Sequence, residues 1–282
     1  MTLKPQPFNA GPDVVTAIYS DALDASFIGP GPSISAFQKS NGQAIRIVSG
    51  AASGGAFLVV KPSITKPADL KGKKIASPQL GNTQDIALRS WLKKQGFTTD
   101  TSGGGDVSVV PQDNAVTLTA FQQGQIDGAW VPEPWATRLI QEAGAKVLVD
   151  ERDLWPDGKY VTTQLLASTK FLDANPEVVK RILLANLQAI DEVNADPATA
   201  QATVNDQIEK LTSKKLGTDL LSAAWKNLTF TADPIASSLQ KSASDAEAIG
   251  LLKDPGDLSK LYDLTLLNEV LQSQGQPPVK GL

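Results

Sequence analysis

The chain has 282 residues, of which 41% are hydrophobic and 20% charged, and its net charge is −4 at pH 7. That length and apolar content allow two α/β lobes with buried cores, and the absence of a basic block argues against nucleic acid as a partner. The sequence contains no cysteine and no histidine, which excludes a zinc site built on those residues, a Ser–His triad, a cysteine nucleophile and histidine acid–base catalysis.

Short strands and helices alternate along the first 168 residues. Strands are predicted at residues 3–8, 24–28, 45–48, 57–60, 74–76, 107–110, 126–131, 146–149 and 160–168, and helices near residues 12–19, 33–39, 84–95, 116–123 and 136–143. The Gly-Pro-Gly-Pro run at residues 29–32 is predicted to be neither helix nor strand. Residues 50–56 are predicted as a loop whose small side chains allow close approach to the backbone.

The pattern becomes helical after Ser168. Helices are predicted at residues 175–194, 197–214, 217–228, 233–251 and 257–274. We expect the chain to cross between lobes at residues 57–62 and again at residues 160–168, with the helical third returning to the first lobe. The first lobe then comprises residues 1–58 and 165–282, and the second comprises residues 59–164.

An internal repeat supports the two lobes. At an offset of 103 residues, LDASFIGPGP aligns with IDGAWVPEPW, so that Asp24 meets Asp127 and Phe27 meets Trp130. After a slip of one residue, Ile45 meets Val147. Each copy is predicted to contain helix, strand, Pro-broken loop, helix and strand in that order, which is the pattern expected of a duplicated unit.

The repeat also predicts a unit that the first copy lacks. In the second copy a strand and a helix at residues 73–96 precede the shared part. Subtracting the offset from Lys73 places their counterpart about 30 residues before Met1. We therefore expect the first βα unit of the first lobe to be missing from this chain, unless the two lobes were never symmetric there.

Four loops are predicted to leave strands toward a cleft, where open α/β sheets bind their ligands. They are residues 29–32, 51–55, 77–83 and 131–135. Gly81, Asn82 and Thr83 precede a helix, whose free N–H groups and dipole favour an anion. Ser53 adds a hydroxyl and Gly54 an N–H group. Because none of these loops carries lysine or arginine, neutral donors are expected to bind a small oxyanion such as a sulfonate.

Each of these residues also has a purely structural interpretation. Asn82 and Thr83 suit the N-cap of the following helix. Trp130 and Trp135 flank a ligand in one interpretation and pack in the core in the other. Glu133 caps the next helix, binds a ligand amine or lies at the surface, and capping is the favoured interpretation.

Several segments together resemble the periplasmic substrate-binding proteins of ABC importers for aliphatic sulfonates, taurine and nitrate. They are FIGPGPSISAF, IVSGAASGGAFLVV, DLKGKKIASPQLGNTQDIALRSWL, GQIDGAWVPEPWATRL and LVDERDLWP, in that order. The resemblance implies an α/β, two-lobed periplasmic-binding-protein fold of type II that closes on its ligand. It implies ligand contacts at Gly31, Pro32, Ser53, Gly54, Gly81, Asn82, Thr83, Trp130, Glu133 and Pro134.

We therefore expect a solute-binding protein that captures a small organic anion, an aliphatic sulfonate or taurine, and delivers it to a membrane permease. A binder of nitrate or of a thiamine-pyrimidine precursor is an alternative, and a pyrimidine-synthesis enzyme on the same scaffold is disfavoured because its relatives rely on histidine. The chain is expected to act as a monomer without cofactor or metal. No apolar run approaches 18 residues, so no membrane-spanning helix is expected. The first residues have no signal-peptide core, so the protein is expected to be cytosolic or to have had a leader removed. The resemblance implies the second, with a location in the periplasm or at the extracellular face of the membrane.

Overall fold

Two separate β-sheets organise the chain. The structure is a computed structural model that describes residues 2–282. The strands are β1 (Ala25–Ile28), β2 (Ile45–Gly54), β3 (Ala56–Val60), β4 (Lys74–Ser77), β5 (Ser108–Pro111), β6 (Gly128–Pro132), β7 (Lys146–Asp150), β8 (Val161–Ser168) and β9 (Leu228–Phe230). The first sheet has the order β1-β8-β2-β9 and the second the order β5-β4-β6-β3-β7.

Helices cover both sheets. They are α1 (Gly11–Tyr19), α2 (Pro30–Lys39), α3 (Thr83–Lys94), α4 (Asn114–Gln122), α5 (Trp135–Ala143), α6 (Thr169–Ala174), α7 (Pro176–Ala195), α8 (Pro197–Thr212), α9 (Thr218–Trp225), α10 (Ala236–Ala248) and α11 (Thr265–Ser273). Each sheet with its helices forms one lobe. The predicted two-lobed α/β fold is therefore confirmed, while the predicted lobe boundaries in sequence stay a prediction.

The two copies of the repeat occupy equivalent places. In the first sheet β8 lies between β1 and β2 and is antiparallel to both. In the second sheet β3 lies between β6 and β7 and is likewise antiparallel to both. The α1-β1-α2-β2 and α4-β6-α5-β7 segments thus adopt the same arrangement, as duplication predicts.

The sheets differ next to β1. Strand β6 pairs with β4 on its second side, in parallel, whereas β1 pairs only with β8 among the described residues. The predicted missing βα unit lies outside the described residues and stays a prediction.

The chain changes sheets earlier than predicted. Strand β2 ends at Gly54 in the first sheet and β3 begins at Ala56 in the second, so Gly55 alone separates them. The crossing predicted at residues 57–62 is wrong because residues 57–60 already pair with β6 and β7. The return is made by residues 151–160. The crossing predicted at residues 160–168 is also wrong, because residues 161–168 form β8, which pairs with β1 and β2 in the first sheet.

Three local predictions were also wrong. Residues 3–8 form no strand. Pro30 begins α2, because a proline in the first helical turn has no N–H that the helix needs. Residues 50–54 extend β2, and their small side chains let other segments pack closely, since a Cβ added at Gly50 would clash with the backbone of Asp233.

Buried aliphatic side chains form the cores of the lobes. In the second lobe, Leu58, Ile75 and Leu88 are completely buried beside the second sheet. In the first lobe, Ile47 and Leu239 are equally buried between β2 and α10. This burial fixes the sheets and leaves the strand ends and helix N-termini to meet between the lobes.

Candidate functional site

The lobes meet where α2 of the first faces α3 of the second. The Gly31 N–H donates to Thr83 Oγ1 at 3.2 Å, and this bond is buried. A Cβ added at Gly31 would lie only 3.2 Å from the Thr83 backbone. Glycine at this position therefore permits the close approach of the two helix N-termini.

Three cavities surround this contact. The N-terminal cavity, about 380 Å³, is lined by Asn9, Gly29, Asn82, Thr83 and Thr162, among others. The α2 cavity, about 430 Å³, includes Gly31, Pro32, Leu80, Gly81 and Ile86. The charged cavity, about 130 Å³, includes Thr83, Trp91, Glu151, Lys241 and Asp245. The structure thus brings five of the predicted site residues, Gly31, Pro32, Gly81, Asn82 and Thr83, to the space between the lobes.

The start of α3 is held by a buried ion pair. Asp85 and Arg89, 0% and 2% exposed, lie one turn apart with 3.1 Å between Oδ1 and Nε. The Ser77 hydroxyl and the Gly81 N–H also donate to the Asp85 carboxylate, at 2.7 Å and 3.0 Å. This network fixes the loop between β4 and α3. Sequence reasoning missed it, since Asp85 resembles an ordinary first-turn acid.

Hydrogen bonds within the loop and the start of α3 occupy three N–H groups. The Asn82 N–H donates to the Gln79 carbonyl at 3.0 Å. Asn82 Oδ1 accepts from the Gln84 N–H at 2.9 Å and caps α3. Asp85 accepts from Gly81. The expectation that the Gly81 N–H is free for an anion is therefore wrong, because the helix's own side chain accepts from it. Thr83, with its hydroxyl between the helices, is the loop residue most directly placed at the lobe contact.

Ser53 and Gly54 lie in the hinge region and line none of the three cavities. Ser53 is 6% exposed and sits in β2 between β8 and β9. The Gly54 carbonyl accepts from the Thr162 hydroxyl at 2.6 Å. The extension of β2 thus places both residues in the sheet rather than in a ligand loop.

The residues 130–134 are placed mainly by structural contacts. Trp130 is completely buried and packs against Trp91 with 6.0 Å between ring centroids, so the core interpretation is the one that the structure matches. Glu133 accepts from the Thr137 N–H at 3.1 Å and from Asn227 Nδ2 at 2.6 Å. It therefore caps α5 and links the two lobes, and Pro134 precedes that helix.

A cluster of charges next to the lobe contact was not anticipated. Asp245 accepts from Lys94 of the other lobe at 2.7 Å and from Lys241 at 2.6 Å. Lys241 Nζ lies 4.1 Å from the ring centroid of Trp155. Glu151 is 2% exposed, and burial raises the pKa of its carboxyl to about 7. Glu151 lies in the charged segment at residues 151–153, and nothing in that sequence indicates that its side chain is buried.

No membrane-crossing helix, by length and apolarity, occurs in the part of the chain that the structure describes. Within residues 2–282, no cluster of three or more acidic side chains is placed so that it could hold a metal ion. The polar groups that line the charged cavity are hydroxyls, two lysines and two carboxylates, which suit reversible binding of a small polar solute.

Sequence comparisons identify relatives of this chain. A binding protein of Brucella abortus (strain 2308) is 29% identical over 261 residues, which cover 90% of this chain and 78% of that one. The taurine-binding periplasmic protein of Escherichia coli (strain K12) is 29% identical over 190 residues, covering 67% of this chain and 57% of the relative.

Solved structures share the fold. The alkanesulfonate-binding protein SsuA from Xanthomonas axonopodis pv. citri, bound to MOPS, superposes with a TM-score of 0.71 at 21% identity, covering 88% of this chain and 83% of that one. The sequence pattern of the NMT1-like family matches residues 1–206. Because this match spans most of the chain, the protein belongs to the NMT1-like family.

Proposed function

We propose that this protein captures a small organic anion, an aliphatic sulfonate or taurine, between its lobes and delivers it to the permease of an ABC importer. The coarser role, a solute-binding protein of the ABC-import type, agrees with its family and with relatives named as binding proteins. The observation that carries the proposal is the contact between Gly31 and Thr83, around which cavities open between the lobes.

The electrostatics of this region favour an anion with an organic part. The N-termini of α2 and α3 converge there, and their dipoles stabilise negative charge. Lys94 and Lys241 line the charged cavity together with Asp245, which both lysines contact, so these three side chains leave one net positive charge. Trp91 and Trp155 line the same cavity and offer apolar surface to a short carbon chain.

Binding between lobes couples capture to closure. A solute that contacts both lobes favours the closed arrangement by its difference in affinity for the open and closed forms. The closed form then presents the outer faces of both lobes to the permease. We propose an extracytoplasmic location and a monomeric protein for this role, with nitrate or a thiamine-pyrimidine precursor as alternative solutes.

Isothermal titration calorimetry tests the proposal with taurine, ethanesulfonate, sulfate and nitrate. We expect heat of binding for a sulfonate and an affinity for sulfate roughly tenfold or more weaker. Thr83→Ala should weaken sulfonate binding, whereas Thr119→Ala on the exposed face of α4 should not. The proposal is overturned if no sulfonate binds, and binding of nitrate alone would establish the alternative.

A further inference from the structure

The charged cavity joins two chemically different ends. Thr83 and Gly31, at the helix N-termini, lie at its lobe contact, and Glu151 is among the residues that line the same cavity. We propose that Glu151 and its cavity form a subsite for a cationic amine, so that the preferred solute is a short aminoalkanesulfonate rather than a simple alkanesulfonate. This inference rests on the proposed function and names its substrate class.

Glu151 is a buried acid without a counter-ion in direct contact. Trp130 Nε1 donates to its Oε2 at 2.8 Å, the Trp155 side chain also hydrogen-bonds the carboxyl, and the charge of Lys241 acts on it from a distance. No lysine or arginine nitrogen of residues 2–282 approaches its carboxylate within 4.0 Å. Burying an ionised carboxylate without a counter-ion is unfavourable in free energy. An ammonium group in hydrogen-bond contact would offset much of this penalty.

The nearby lysines are already engaged. Lys94 and Lys241 both bind Asp245, at 2.7 Å and 2.6 Å, and Lys241 also lies against Trp155. When Glu151 is ionised, the net charge of the two lysines, Asp245 and Glu151 is zero. A zwitterion keeps the site neutral, whereas a simple sulfonate leaves one uncompensated negative charge unless Glu151 is protonated.

The size of the charged cavity suits a small solute. An apolar protein cavity of about 150 Å³ accommodates benzene, so the 130 Å³ of the charged cavity corresponds to about six non-hydrogen atoms by the same measure. A two-carbon aminosulfonate is close to this size.

Proton linkage follows from the same geometry. Burial raises the pKa of Glu151 to about 7, with Lys94, Lys241 and Asp245 facing the cavity and Asp150 and Tyr160 close by. An arriving ammonium favours the carboxylate, so binding a zwitterion near or below pH 7 should release a proton. A simple sulfonate favours the protonated acid, so its binding above pH 7 should take up a proton.

The test compares taurine with ethanesulfonate, two molecules of the same carbon chain that differ by the amine. Calorimetry is run between pH 6 and 8 in buffers of different ionisation enthalpy, which reports the protons exchanged. In the unmodified protein we expect taurine to bind roughly tenfold or more tightly than ethanesulfonate, with protons released for the first and taken up for the second. Glu151→Gln, which keeps an acceptor for Trp130, should bring the two affinities close together and abolish both proton effects.

Glu247→Gln is the matched control, because Glu247 is an exposed acid on α10 outside the cavity lining, and it should behave like the unmodified protein. Equal affinities in the unmodified protein, or a taurine preference that survives Glu151→Gln, overturn the amine subsite while leaving sulfonate capture intact. Failure to bind either sulfonate overturns the proposed function itself. The opposite proton effects in the unmodified protein decide the matter even if the variant does not fold.

Discussion

The two copies of the repeat share a strand arrangement but use their second helix differently. In the first copy, α2 begins with Pro30-Gly31-Pro32 and touches the other lobe through the bare backbone of Gly31. In the second copy, α5 begins after Pro134 and reaches the other lobe through the Glu133 side chain. The first copy of the unit thus contacts the other lobe through its backbone, and the second copy contacts it through a side chain.

One pair of equivalent positions, in the middle of β2 and directly after β7, differs as well. With the one-residue slip, Ser49 corresponds to Glu151. Ser49 is buried and accepts from Asn186 at 3.1 Å, so its neutral hydroxyl is satisfied within its lobe. Glu151 is equally buried but ionisable and lines a cavity between the lobes. A duplicated scaffold can therefore carry packing at one position and a recognition group at its counterpart.

We expect the largest effect from a substitution in the β4–α3 unit. This unit lies beside β6, whereas β1 has no such neighbour among the described residues. Asp85→Ala leaves the buried Arg89 without its partner and should lower the free energy of unfolding by about 3–5 kcal/mol. Urea denaturation measures this. Asp113→Ala, an exposed acid before α4 that makes no capping bond, is the control and should change little. A near-neutral Asp85→Ala would mean that the network does not stabilise α3.

Glu151 should give stability a pH dependence that its counterpart Ser49 cannot. Its pKa rises from 4.5 to about 7 on folding, so the folded state binds the extra proton between these values. Stability from this group is complete below about pH 4.5 and is lost as pH rises through 7. Relative to Glu151→Gln, the unmodified protein should lose on the order of 3 kcal/mol across that window.

Parallel denaturation curves of the two proteins at pH 4.5, 6 and 7.5 measure that difference. A constant difference across the series would show that Glu151 keeps an ordinary pKa in the folded protein.

Closure should depend on the missing side chain at Gly31. Gly31→Val places atoms against Ile86 and the Thr83 backbone, where an added Cβ would already lie 2.8 Å and 3.2 Å away. We expect the lobes to separate and solute affinity to fall roughly tenfold or more. Small-angle scattering and calorimetry report these changes. Gly217→Val is the control, since nothing lies within 4 Å of a Cβ there, and an equal loss in both variants would contradict a steric role.

The smallest effect concerns the second copy's link. Glu133→Ala removes the α5 cap and should cost about 1 kcal/mol, whereas Asn227→Ala removes only the interlobe bond of 2.6 Å. A double-mutant cycle should give a coupling of about 0.5–1.5 kcal/mol. Strictly additive effects on the free energy of unfolding would show that the bond contributes nothing beyond the cap.

Much of the fold could be predicted because local hydrophobic patterns in the sequence indicate where strands and helices form. The apolar run at residues 57–60 identified a strand buried on both faces, and β3 is that strand. The prediction failed where one local pattern permits two structures. Gly-Pro-Gly-Pro is compatible with a loop or with a first helical turn, and only the packing of α2 beneath the other lobe selects the helix.

The candidate site was predictable in part for the same reason. Asn82 and Thr83 follow a strand and begin a helix, which placed them between the lobes. Glu151 had no comparable signal, because its buried partner Trp130 lies 21 residues away in the chain. Ser53 was predicted to lie in a loop, but in the structure it pairs with β9. The three residues of β9 are too few to give a recognisable strand pattern.

The sequence by itself determined the alternation of strands and helices, the duplicated unit and the family, because hydrophobic periodicity and motif order are properties of neighbouring residues. Only the tertiary structure decided which polar groups remain available to a solute and which are occupied by the protein. Asp85 accepts from the Gly81 N–H, while Glu151 faces a cavity. Solvation and pairing of a charge depend on every segment that surrounds it, so they exist only once the lobes have packed.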